Sequence, residues 1–173
     1  MITFILGTIV AVGQHRRTHL QGDYDSEPMP GFTPHRILVP VNGSATDEEA
    51  VRFACRLSLR PRATVLVVTV VEVPRGLALS TIETGEVGVA EKLLNLAEQI
   101  GKDYEVEVKT EILQARDAAA AIVDEIAERQ IDLAVVGLTY RERFGEFHMG
   151  RTVPYILQHA PCRVFLLRES PPH

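Results

Sequence analysis

The chain has 173 residues, 46% of them hydrophobic and 24% charged, with a formal net charge of -5 at pH 7. That length suits one domain with a sizeable core, and the acidic balance excludes a general nucleic-acid binder, which works through a basic surface. The cysteines, Cys55 and Cys162, sit among apolar neighbours; they form neither a metal pattern nor a disulfide framework and read as small core residues in a reducing compartment.

Residues 1–13 carry no charged side chain and run straight into His15-Arg16-Arg17-Thr18-His19. A spanning helix needs about 20 apolar residues, and a secretory signal would begin with a basic region, so neither description fits. Two readings stay open for residues 1–19. They are the last part of a transmembrane helix with its basic residues on the cytoplasmic side and the remainder upstream, or a short tail that packs on the domain or on another copy. Residues 20–34, rich in Pro, Gly and acids, read as a linker without regular structure. The folded domain then takes residues 35–169, and 170–173 form a tail.

Residues 36–41, Arg-Ile-Leu-Val-Pro-Val, make a short apolar strand that breaks at Asn42-Gly43-Ser44. Ser44 or Thr46 can cap the next helix, and Thr46 with Glu49 has capping-box spacing. That helix runs to about Leu59 with Ala50, Ala54 and Leu57 along one face. The near-continuous apolar run 64–71 predicts a parallel strand covered on both faces. After a loop over 72–85, residues 86–100 form a helix with Ala90, Leu93, Leu94 and Ala97 at core spacing, stopped by Gly101. Residues 104–112 alternate apolar and charged, the pattern of an edge strand with one wet face. Asp117 caps an alanine-rich helix to about Arg129, and 131–136 is the fourth strand. A long polar loop spans the glycines at 137 and 150, a helix covers 152–159 and stops at Ala160-Pro161, and 162–167 is the fifth strand.

The order βαβαβαβαβ specifies an α/β fold: a doubly wound, five-stranded parallel sheet, strand order 3-2-1-4-5, with helices on both faces. The winding reverses between strands one and four, and ligands of such sheets bind outside the carboxyl ends at that reversal. Those ends are Val41-Asn42 and Val136-Gly137. A glycine-bounded loop leading into a helix N-terminus suits a phosphate, because glycine lets main-chain amides approach an anion and the helix end carries unpaired donors. The plainer reading is a long loop that needs its glycines to turn.

Single residues carry weaker signals. Arg141 and Arg143 read as solvated charges, His148 as an exposed loop histidine, and Phe144 and Phe147 as pins for the loop. His159 belongs to a helix end and its dipole. No nucleophile–base pattern, metal spacing or carboxylate pair points to catalysis, so the chain is read as a non-enzyme.

Several stretches together resemble the universal stress protein family: Ile37-Leu-Val-Pro-Val-Asn-Gly-Ser44, the strand at 65–71, Val135-Val-Gly137 followed by Gly150, and Ala160-Pro-Cys-Arg-Val164. The likeness covers about residues 36–168. It implies a regulatory domain binding ATP or AMP, with Mg2+ accompanying ATP. It implies Pro40, Val41 and Asn42 at the first strand end, Val70 against the base, and Gly137, Gly150, Arg151, Thr152 and Val153 at the phosphates. Where the family repeats glycine this chain has Tyr140, which adds bulk. Arg151 replaces a small hydroxyl residue but offers a guanidinium, and Asn42 replaces an aspartate, giving up charge assistance toward a ribose. The alternatives are a dimerisation module of the same fold that has lost nucleotide binding and, least favoured because nothing resembles an activated water, a slow ATPase. The resemblance also implies a homodimer through the fifth-strand edge. Val71-Glu-Val-Pro-Arg-Gly-Leu-Ala-Leu79 with Gly150-Arg-Thr-Val-Pro-Tyr155 is most similar to stress-protein domains fused behind amino-acid permeases. That implies a membrane transporter as partner and a cytoplasmic place at the inner face of the membrane.

Overall fold

The first apolar run forms β1, Arg36–Pro40, whose Ile37, Leu38 and Val39 are fully shielded from water. In the computed structural model, which describes residues 31–59, 62–78, 84–141 and 146–168, β1 is the middle of five parallel strands. The two readings of residues 1–19, the linker over 20–30 and the tail from 170 lie outside the described residues.

The first three strands are each followed by the helix their sequence announced. After β1 come α1 (Asp47–Ser58), β2 (Thr64–Glu72), α2 (Thr84–Asp103), β3 (Val108–Ala115) and α3 (Ala118–Glu128). Then follow β4 (Leu133–Arg141), β5 (Glu146–His148), α4 (Thr152–His159) and β6 (Arg163–Arg168). The parallel strands lie in the order β3-β2-β1-β4-β6, with Arg36 opposite Thr64, Val65 opposite Val108, Ile37 opposite Leu133 and Leu133 opposite Arg163. This is the expected 3-2-1-4-5 order, β6 being the fifth of the parallel set. Because side chains alternate across a sheet, Leu38, Leu66, Val68, Ala134 and Val136 meet Ile122 and Ile126 of α3 and Val153 and Ile156 of α4 in one core. Alternate residues such as Ile37, Val39, Val65 and Val67, equally buried, serve the layer in which α1 packs on α2.

At the amino end of the sheet, Asp132 fixes the chain as it enters β1. Its Oδ2 accepts from the His35 amide at 2.8 Å and its Oδ1 from the Arg36 amide at 3.1 Å. Arg163 lies over the Phe32 ring, 3.9 Å from its centroid. The chain therefore comes in at the end of the sheet opposite the strand carboxyl ends.

Four local expectations are corrected. Thr46 occupies the N-cap position of α1 but makes no side-chain capping bond, so the capping box does not form. Its hydroxyl pairs instead with Ser44 Oγ at 3.2 Å. Gly101 does not stop α2, which continues to Asp103. Glycine is required there because a Cβ would stand 2.8 Å from the Val106 carbonyl oxygen and 2.5 Å from Val108 Cγ2. β3 begins at Val108, not 104, since the Tyr104 and Val106 amides donate to the Gly101 carbonyl and Glu105 takes a left-handed φ of 56°. Finally, the long polar loop after Gly137 is largely a hairpin: β4 runs on to Arg141 and pairs antiparallel with β5, Thr139 facing His148 and Tyr140 facing Phe147. Phe144 and Arg143 lie outside the described residues, as do the side chains of Tyr140, Arg141, Phe147 and His148.

Candidate functional site

The carboxyl ends of β1 and β4 diverge because their following segments go to opposite faces of the sheet, and a cleft of about 570 Å³ opens between them. Its floor and walls are apolar: Val41, Val68, Val70 and Val136 from the strands, and Ala118 and Ile122 from the start of α3. The rim is polar or bare main chain, supplied by Asn42 to Ala45 on one side and by Gly137, Gly150 and Thr152 on the other. A cleft of this size, apolar with a few polar groups at its edge, suits a small ligand with a flat base and a polar end.

Gly137 is set by a close approach. A Cβ there would collide with the Thr46 hydroxyl, and Thr46 is only 1% exposed and has no room to yield. The turn after β1 is therefore pressed directly against the end of β4. Gly150 has φ of 58°, which glycine adopts without strain, and it turns the chain from the hairpin into α4.

α1, α3 and α4 begin beside the cleft, and the amides that lead into them meet different partners. In the β1–α1 turn the Asp47 carboxylate accepts from the amides of Asn42, Gly43 and Ser44 at 2.8, 2.7 and 3.1 Å, and from the Ser44 hydroxyl. At α3, Glu72 accepts from the Ala118 amide at 2.9 Å, and Asp117 accepts from Ala119 and Ala120 at 2.9 and 3.1 Å, which is the expected cap. At α4 the N-cap is Arg151, which makes no side-chain capping bond. Of these helices, α3 is the one with an acidic cap; Thr46 at α1 and Arg151 at α4 make no side-chain capping bond.

Of the residues expected at the site, Pro40, Val41, Asn42, Val70, Gly137, Gly150, Thr152 and Val153 all line the cleft. Arg151 does not: it is exposed and outside the lining. Sequence reasoning missed Asp47, Ser44, Ala118, Ile122 and Met149. The topology itself signalled Ala118 and Ile122, since any helix following a parallel strand begins at the carboxyl end. The spacing of Ser44 and Asp47, an acid three residues after a turn serine, signalled the other pair.

Among the described residues no cluster of three or more His, Cys, Asp or Glu gathers to hold a metal ion, and no helix is long and apolar enough to cross a membrane. Cys55 is buried and Cys162 partly buried, so both behave as packing residues.

Residues 34–168 match the family model described as Universal stress protein family. Solved structures share the fold. A universal stress protein from Archaeoglobus fulgidus in complex with dAMP is 20% identical with a TM-score of 0.62, covering 78% of this chain and 98% of that one. The universal stress protein UspA from Lactobacillus plantarum is 26% identical with a TM-score of 0.62, covering 77% and 97%. A family protein from Arabidopsis thaliana with AMP bound is 18% identical with a TM-score of 0.56, covering 79% and 93%. No curated protein matches the chain.

Proposed function

The chain belongs to the universal stress protein family, and from that premise we propose that it is a regulatory domain that binds an adenine nucleotide, AMP or ATP, without useful catalysis. The observation that carries this reading is the cleft at the β1–β4 reversal, apolar where a base would lie and bounded by Gly137 and Gly150 where main chain would meet a phosphate. Relatives of the same fold have been solved with dAMP, cAMP and AMP. The phosphate belongs at the start of α4, whose N-cap side chain makes no capping bond and which borders the cleft through Gly150, Thr152 and Val153. Mg2+ would come with the phosphates of ATP, because Asp47, the acidic side chain lining the cleft, already has its oxygens engaged. Calorimetric titration of the folded protein with AMP, ATP and cyclic AMP tests the reading; binding at micromolar to millimolar ligand is expected, and no heat at millimolar concentration overturns it. A parallel assay for ATP hydrolysis at background rate is expected.

A second reading, a dimerisation module without a nucleotide, draws on β6, whose Val164 to Leu167 are only half-buried at an edge of the sheet. Association with a membrane transporter at the inner face of the membrane rests on residues 1–19 and on the likeness to permease-fused domains. Sedimentation of the full chain with lipid vesicles, expected to pellet it, is the check, and a fully unbound chain would remove that association.

A further inference from the structure

We infer that Asp47 sets the charge selectivity of the cleft: it fills the β1–α1 turn with the chain's own carboxylate, so the cleft takes a nucleoside monophosphate in preference to a triphosphate. This rests on the nucleotide reading above and specifies its ligand. Three consecutive amides, those of Asn42, Gly43 and Ser44, converge on Oδ2 of Asp47 at 2.7 to 3.1 Å, and the Ser44 hydroxyl donates to Oδ1. Successive amides aimed at one point are how a turn holds a phosphate oxygen. Here the anion is built in.

Two consequences follow from that placement. The amides of Asn42, Gly43 and Ser44 are consumed, so a ligand phosphate cannot win those three donors. A carboxylate also stands in the lining, 9% exposed, while the described lining contains no Lys or Arg to offset it. One phosphate can rest at the start of α4, across the cleft. A triphosphate carries further charges that the same space brings toward Asp47, where partial shielding from water strengthens repulsion. Asp47 thus acts on the ligand through charge and by occupying the turn, not by touching the base.

The test measures affinities for AMP and ATP by calorimetry, at low salt and without Mg2+, for the natural chain, Asp47→Asn and Asp47→Ser, each shown to be folded by circular dichroism. Asn keeps an acceptor over the amides and removes the charge; Ser opens the turn. The natural chain is expected to favour AMP by about tenfold, the size of one like-charge interaction across about 12 Å at the effective dielectric near a protein surface. The ATP-to-AMP affinity ratio should rise by about that factor in Asp47→Asn and further in Asp47→Ser, and the difference should shrink at high salt. An unchanged ratio in folded variants overturns the inference. If the natural chain binds neither nucleotide but Asp47→Ser binds ATP, the blocking role stands and the nucleotide reading of the natural chain falls. No binding by any folded variant overturns both. Should Asp47→Ser fail to fold, the ratio in Asp47→Asn decides.

Discussion

Gly137 and Thr46 hold each other in place. The glycine has no Cβ because the Thr46 hydroxyl already occupies that space, and Thr46 is buried at the bottom of the turn. Gly137→Ala should therefore lose about 1–3 kcal/mol of stability, the usual range for overpacking a filled site. Urea denaturation checks it, and adding Thr46→Ala should recover part of the loss, since the two changes share one contact. The glycine was legible in the sequence, but as a phosphate residue; its packing role needed a partner from another segment. Burial pushes the Cys55 thiol up to about 11 from an ordinary 9.0. The native chain should react with a thiol reagent at pH 8 far more slowly at Cys55 than a denatured control, because only the thiolate attacks. The linkage has a definite sign. Above pH 9 the unfolded thiol gives up its proton while the folded one keeps it, so stability should fall as pH rises from about 9 toward 11. A Cys55→Ser variant, compared by urea melts across that window, should show a flatter pH dependence.

At the scale of elements, Gly101 sets two effects against each other. Inside an exposed helix, Gly→Ala gains about 1 kcal/mol. Here a Cβ would meet the Val106 carbonyl oxygen at 2.8 Å, and main chain cannot move aside as a side chain can. Gly101→Ala should thus be net destabilising, by about 1–2 kcal/mol on the same overpacking scale; a stabilised variant in thermal melts would contradict the packing seen between α2 and β3. This position also shows why element boundaries were harder to read than element identities. Strands β1, β2 and β4 and helix α4 were legible from uninterrupted apolar runs and from helical spacing. Gly101 looks like a helix stop by composition, yet its reason is a tertiary contact with the chain returning as β3. The hairpin of β4 and β5 was hidden for a related reason. Its paired stretches, Thr139 to Arg141 and Glu146 to His148, are too short to show a periodicity in the sequence, and what joins them is pairing across the turn. Asp117 was legible because a cap is local: Asp117→Ala should cost about 0.5–2 kcal/mol through loss of its bonds to Ala119 and Ala120, measurable as a lower urea midpoint.

Across the whole sheet, the two edges differ in kind. β3 shows Lys109 and Glu111 along its length, and Glu111 pairs with Arg129 at 2.5 Å, so charge discourages another strand from adding there. β6 has its charges only at its ends, Arg163 and Arg168, with four half-buried apolar residues between them. Phe165 stacks on Phe53 of α1 at 4.7 Å, while Val164 and Leu166 pack toward the α3–α4 core. The side chains of β6 are thus committed to both faces of the sheet. Among the described residues β6 pairs with β4 alone, so the main chain along its other side is the natural place for a second copy to add. If association uses that edge, sedimentation should move from monomer toward dimer as concentration rises. Amide exchange should slow along β6 over the same range and stay constant along β3. Exchange along β6 that is independent of concentration, in a sample that does dimerise, would place the interface elsewhere and separate dimerisation from the edge geometry. Because β6 is next to β4, whose carboxyl end borders the cleft, repeating the titration with AMP present asks whether the cleft and the edge are coupled. A shift in the dimerisation constant on adding AMP must be matched by an equal shift in AMP affinity with protein concentration.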